Sequence, residues 1–153
     1  MKKIILIPLC LILLITLFFN SFAETVSRNN EEELLARIVH AESKGEPYLG
    51  QVCVAAVILN RVDSADFPNS LAGVIYQPGA FEPVSNGTIN QAVPQNASAR
   101  KAAREALNGY DPTGGCLYFF NPNTATSKWI WSKTIVKISI KSILFRVNRT
   151  EYY

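Results

Sequence analysis

Val52 to Leu59 is apolar nearly all round. A helix built from such a run has no face for water, so the rest of the domain must enclose it. The spacing predicts a helix from Tyr48 to Val62 as the central element. Ala55 and Ala56 on it are small enough for a neighbour to pack closely. The chain has 153 residues, enough for one small domain around that rod and not for two.

The amino end carries a different signal. Met1-Lys2-Lys3 is a short basic start, Ile4 to Phe19 is almost unbroken Ile, Leu and Phe, and Ser21-Phe22-Ala23 supplies small residues at a cleavage site. This pattern predicts a secretory signal peptide over residues 1–23, cut after Ala23. The apolar run is slightly short for a full membrane span, so no stable membrane insertion is expected after cleavage. Cys10 lacks the small residues of a lipoprotein site before it. Beyond Ala23 the chain holds 13 basic and 12 acidic residues. No basic stripe remains to bind nucleic acid. Cys53 and Cys116 are two cysteines in an exported chain, so they are either a disulfide or two buried thiols.

Residues 24–33 read as a short polar leader. Asn30 followed by Glu33 has the form of a capping box, and Glu31, Glu32 and Glu33 suit the positive end of a helix dipole. Leu34, Leu35, Ile38 and Val39 then recur at helical spacing, and Gly45 and Pro47 end that helix. A short helix follows over Leu71 to Tyr76, and 82–95 reads as loop. Another helix runs from Asn96 to about Leu107. Cys116 to Phe120 reads as a strand. Trp129 to Leu144, rich in Ile, Trp and Val, supplies one or two more. Helices first and a small antiparallel sheet last define an α+β domain.

Glu42 is the leading candidate for chemistry. Leu34, Ile38 and Glu42 stand four apart, so the carboxyl lies at the end of an apolar stripe. Desolvation there raises a carboxyl pKa, and a carboxylic acid kept protonated near neutrality can donate to a leaving oxygen. Glycoside cleavage needs such a donor. Glu46, Glu82 and Asp111 are candidate second carboxylates. His40, the single histidine, falls two residues before Glu42 and so on a different side of the helix. Cys53, inside the apolar rod, should be inert. One histidine and scattered thiols argue against a zinc site, and no cofactor motif is present. Sugar faces pair with aromatic rings beside Asn, Gln and Thr. The set taken for substrate contact is Glu46, Gln77, Phe81, Asn121, Thr124, Thr126 and Trp129.

Several separate segments carry a resemblance. They are 36–47 (Ala-Arg-Ile-Val-His-Ala-Glu-Ser-Lys-Gly-Glu-Pro), 50–61 (Gly-Gln-Val-Cys-Val-Ala-Ala-Val-Ile-Leu-Asn-Arg), Phe67-Pro-Asn69, 74–81, 106–112, Tyr118-Phe-Phe-Asn-Pro122 and 125–131. In this order they resemble the spore cortex-lytic enzyme and cell-wall hydrolase family, the SleB/CwlJ type. The resemblance covers about Leu34 to Ser132. It implies a compact lysozyme-like muralytic domain over 34–146, with a 147–153 tail, a cleft for peptidoglycan glycan strands and Glu42 as the catalytic residue. Studied members look like lytic transglycosylases. In these, one carboxylic acid protonates the bridging oxygen after N-acetylmuramic acid, and the same carboxylate deprotonates the sugar's own 6-hydroxyl, which closes an anhydro ring.

One segment departs from that pattern. Lys137 to Arg146 has neither the Gly nor the His of the family's Gly-x-His-x-Phe strand. A change of reading frame near Ile138 in the encoding gene would produce this. The alternatives to a glycan-cutting enzyme are a wall amidase and, from another class, a non-catalytic or inactivated wall-binding relative, which this departure favours.

Overall fold

The structure is a computed structural model describing residues 3–123, 126, 128, 135–140 and 143–146. Its elements are helices α1 (Lys3–Ser43), α2 (Tyr48–Asp63), α3 (Leu71–Ile75), α4 (Glu82–Ser85) and α5 (Ser98–Leu107), and strands β1 (Tyr118–Phe120), β2 (Ile135–Ile140) and β3 (Ile143–Arg146). A single 3-10 turn over Thr88–Asn90 lies between α4 and α5. The chain divides into two compact units, Met1–Glu31 and Glu32–Tyr153.

The first unit consists of the amino-terminal part of α1. Its apolar side chains from Leu11 to Phe22 are exposed. By length and composition alone, α1 meets the requirement for crossing a membrane, as a signal sequence near an amino terminus also does. The expected loose leader at Glu24 to Asn30 is instead helical. Nothing in Glu-Thr-Val-Ser-Arg-Asn-Asn breaks a helix, and adding residues to an existing helix is far easier than nucleating one. Asn30 is consequently inside a helix and forms no capping box.

In the second unit α2 is the buried rod. Every residue from Val52 to Ile58 is at most 2% exposed. α5 packs along it and buries Ala99, Ala102, Ala103 and Ala106. The buried alanines of α5, and Ala55 and Ala56 on α2, are small enough for two packed helices to approach closely. Leu35, Ile38 and Val39 of α1 complete the core with Val74, Ile75 and Phe81. Glu32 and Glu33 are not at a helix start. Glu32 pairs with Arg104 at 2.7 Å, and Glu33 pairs with Arg100 at 2.6 Å and Arg37 at 2.9 Å. The Arg100 and Arg37 hydrogen bonds hold Glu33 below the usual carboxylate range.

The strands pair antiparallel in the order β1–β3–β2. Phe119 stands opposite Phe145, and Ile140 opposite Ile143, with an irregularity between Ile135 and Ser139. The described residues of the segment lacking the family's Gly and His, 137–140 and 143–146, thus lie in paired strands. The stretch after Phe81 is not all loop: Pro83 suits the first turn of α4, where no amide is needed.

The entry to α3 is tight. Ser70 caps it, its Oγ accepting from the Gly73 amide at 3.1 Å. A Cβ on Gly73 would lie 2.8 Å from both Pro68 Cβ and Ser70 Oγ. Gly73→Ala, which would gain about 1 kcal/mol in an open helix, is expected here to lose about 1–3 kcal/mol through overpacking. Thermal unfolding checks this, and an unchanged or raised Tm would contradict the close approach.

Candidate active site

Glu42 sits in the last turn of α1, directly before buried Ser43, whose Oγ donates to Val39 O at 2.7 Å. Two cavities meet at it. The first, about 480 Å³, is lined by Arg37, His40, Glu42 and Lys44 on one side and by Glu82, Asn86, Thr88 and Gln91 on the other. The second, about 460 Å³, is lined by Glu42, Glu46, Arg61, Phe81, Glu82, Phe119, Phe120, Asn121 and Ile143. Glu42 and Glu82 belong to both, so the two carboxylates mark the junction of a groove with a polar, basic-edged arm and an aromatic arm.

The Glu42 carboxyl is half-buried, and its pKa is raised above the ordinary value. Burial is the main cause, Glu82 adds to it, and the Arg61 cation opposes it. Desolvation of this kind favours the protonated form of a carboxylic acid, the form that can donate a proton.

In the sequence Arg61 stands only at the end of a motif, with no role attached to it. In the structure its guanidinium carbon lies 5.3 Å from the ring centre of Phe67, 5.4 Å from Phe81, 5.8 Å from Tyr118 and 6.0 Å from Phe119. Its Nε donates to Leu117 O at 2.8 Å. Burial lowers its pKa, against Tyr118 and Glu42, which raise it. An arginine closing an otherwise apolar helix is the one signal that could have found it, but the four rings come from three other segments.

The other expected residues separate. Glu46 and Asn121 line the aromatic arm. Phe81 lines it too, but is only 4% exposed and its ring faces Arg61, so it forms wall more than an open sugar platform. Gln77 is exposed on the turn after α3 and Thr126 is exposed, and neither is among the described residues lining the groove. Thr124 and Trp129 lie outside the described residues. His40 shares the first cavity with Glu42, against the expectation from helical spacing, because that cavity wraps the final turn of α1.

Asp111 is not free to act as a second carboxylate. Its oxygens accept from the Thr113 amide at 2.7 Å, Thr113 Oγ1 at 2.6 Å, the Gly115 amide at 2.7 Å and Asn60 Nδ2 at 3.0 Å. Burial alone would raise its pKa, but the hydrogen bonds from Thr113, Gly115 and Asn60 outweigh it and hold the carboxyl low. Cys53 and Cys116 are both free and buried thiols in this structure. Burial pushes the thiols up to about 12 and about 11, and Cys116 Sγ donates to Thr113 O at 3.2 Å. Among the described residues no three His, Cys, Asp or Glu side chains cluster as metal ligands would.

Residues 45–146 match the model of the Cell Wall Hydrolase family. The chain belongs to the cell wall hydrolase family. Glu42 precedes the matched span by three residues. The chain is 57% identical over 108 residues to a spore cortex-lytic enzyme of Bacillus cereus, an alignment covering 71% of this chain and 41% of that protein. It therefore spans less than half the length of that relative. The catalytic domain of the Bacillus cereus SleB protein superposes with a TM-score of 0.72 at 53% identity, covering 77% of this chain and 90% of that one. The catalytic domain of the germination-specific lytic transglycosylase SleB from Bacillus anthracis gives 0.71 at 53% identity, covering 76% and 93%. The cell wall hydrolase fold here is thus that of the SleB catalytic domain, mostly helical.

Proposed function

We propose that this chain is an exported peptidoglycan hydrolase that cuts the glycan strand as a lytic transglycosylase, with Glu42 as the catalytic acid and spore cortex as the substrate. The observation that carries the reading is the Glu42 carboxyl, desolvated at the junction of two cavities in a SleB-type fold. The strand lies along the groove, with the scissile oxygen after N-acetylmuramic acid at Glu42. Protonated Glu42 gives its proton to that oxygen as the glycosidic bond breaks. The carboxylate then takes the proton of the muramic 6-hydroxyl, whose oxygen closes onto the anomeric carbon. The aromatic arm, with Asn121 and Glu46, holds sugar faces and hydroxyls. Export rests on residues 1–23 acting as a cleaved signal peptide. The fold is read as a lysozyme-like α+β domain whose small sheet walls the aromatic arm.

Glu82 beside Glu42 favours a second reading, two-carboxylate hydrolysis by water. The products separate the two. Digestion of cortex and vegetative peptidoglycan, read by mass spectrometry, yields anhydromuramic ends under the first reading and reducing ends under the second. Glu82→Gln adds a kinetic test. Under the first reading it keeps activity within roughly tenfold and shifts the basic limb of the rate profile downward, since it removes a charge that raises Glu42. Loss of about 10²-fold or more, in the range for a missing acid–base group, supports the second. A folded chain that binds wall and releases nothing is an inactivated relative, and release of free amino and carboxyl groups marks an amidase.

A further inference from the structure

Arg61 is placed unlike any other basic residue described in the domain. Most charged side chains in the groove stand at its edge. Arg61 instead emerges from the end of the buried rod α2 into the wall of the aromatic arm. Its guanidinium touches rings from four positions on three segments: Phe67 before α3, Phe81 at the start of α4, and Tyr118 and Phe119 on β1. Its Nε bond to Leu117 O fixes the chain entering β1. A planar cation stacked on rings and hydrogen-bonded through its edge is held in one orientation, which a flexible lysine cannot reproduce. The same side chain lines the cavity that contains Glu42.

We propose that Arg61 is the positioning residue of this site: it ties the wall of the aromatic arm together and presents the positive charge that faces Glu42 when its proton has left. The inference rests on Glu42 acting as the acid. In the transition state the proton is passing to the glycosidic oxygen and negative charge grows on Glu42. A fixed cation in a partly desolvated wall steadies that charge without moving. The titratable and charged groups lining the cavities with Glu42 are Arg37, His40 and Lys44 on α1, Glu46 after it, Arg61 on α2 and Glu82 on α4. Among them Glu82 and Arg61 act on Glu42 in opposite directions. Burial and Glu82 keep the proton on, and Arg61 keeps the acid strong enough to release it.

The test uses the full chain with Arg61→Met and Arg61→Lys, assayed on cortex peptidoglycan across pH with thermal unfolding in parallel. Methionine fills the ring pocket without charge, and replacing a buried charge by an apolar side chain of similar size is frequently tolerated. The Met variant is expected to lose about 10²-fold in kcat, the scale for removing one preorganised stabilising group. The basic limb of its kcat/KM profile should move to higher pH, because Glu42 then holds its proton longer. The Lys variant should recover part of the rate and return the limb part of the way. If the Met variant does not fold, the Lys variant decides alone: folded, with rate and limb both unchanged, it overturns the proposal. So does a Met variant whose rate falls only in step with its Tm while the limb stays in place. If wild type and Glu42→Gln are equally inactive, the reading of Glu42 fails instead, and that outcome is distinct because no limb exists to move.

Discussion

Glu42→Gln is expected to lower strand cleavage by about 10²–10⁴-fold, the usual contribution of a positioned acid–base group, while leaving the protein folded. Gln is nearly the same size and still hydrogen-bonds, so the last turn of α1 and its packing through Ile38 and Val39 remain. The stability readout distinguishes this from a structural effect. Burial first, and Glu82 second, raise the Glu42 pKa in the folded state. The folded chain therefore binds more protons than the unfolded one between the ordinary carboxylate value and the raised one. Stability from this group is complete below that window and is lost as pH rises through it. Gln carries no such penalty. The variant should be at least as stable as the parent at neutral pH, and the difference should vanish under acid conditions below the ordinary carboxylate range. Cleavage rates and Tm measured from acid to neutral pH check both parts. A variant that unfolds at neutral pH, or one that cuts at the parental rate, would remove Glu42 from its assigned role.

Asp111→Ala should do the reverse: a large loss of stability with the chemistry retained. The substitution strands the Thr113 and Gly115 amides, the Thr113 hydroxyl and one donor of Asn60. Hydrogen bonds to a charged acceptor contribute about 1.5–3 kcal/mol, and unpaired buried donors add to the loss, so about 3 kcal/mol is expected by denaturant unfolding. The turn matters because it leads into β1, which carries Phe119 and Phe120 to the aromatic arm. Asp111 has a depressed pKa in the folded state. Its stabilising effect is therefore present above the ordinary carboxylate range and is lost as pH falls through the depressed value. At a temperature well below its Tm the variant should cut at close to the parental rate. An unchanged Tm with lost cleavage would return Asp111 to the list of catalytic carboxylates.

The core was legible in the sequence because its pattern is local. Val52 to Leu59 reads as buried from composition alone, and the structure buries it as far as Ile58; Ala55 and Ala56 announce a close neighbour before that neighbour is known to be α5. The place of Glu42 at the end of an apolar stripe was legible for the same reason: Leu34, Ile38 and Glu42 share a face at a fixed spacing of four. The reading failed where context outweighs local preference. Asn30 and Glu33 form a sound capping box by pattern, but a helix already running through them gives the cap nothing to satisfy. Glu33 instead meets Arg100, which is 67 residues away.

The sequence by itself determined the buried rod, the helix that delivers Glu42, the breaks at Gly45 and Pro47, and the motifs that mark a cell wall hydrolase. These depend on periodicity and on residues a few positions apart. Only the tertiary structure decided which carboxylate stands beside Glu42, that Asp111 is held within its own turn, and that Arg61 has four rings around it. Those facts join residues from separate elements. Charge interaction and ring contact depend on distance in space, and the sequence states only distance along the chain.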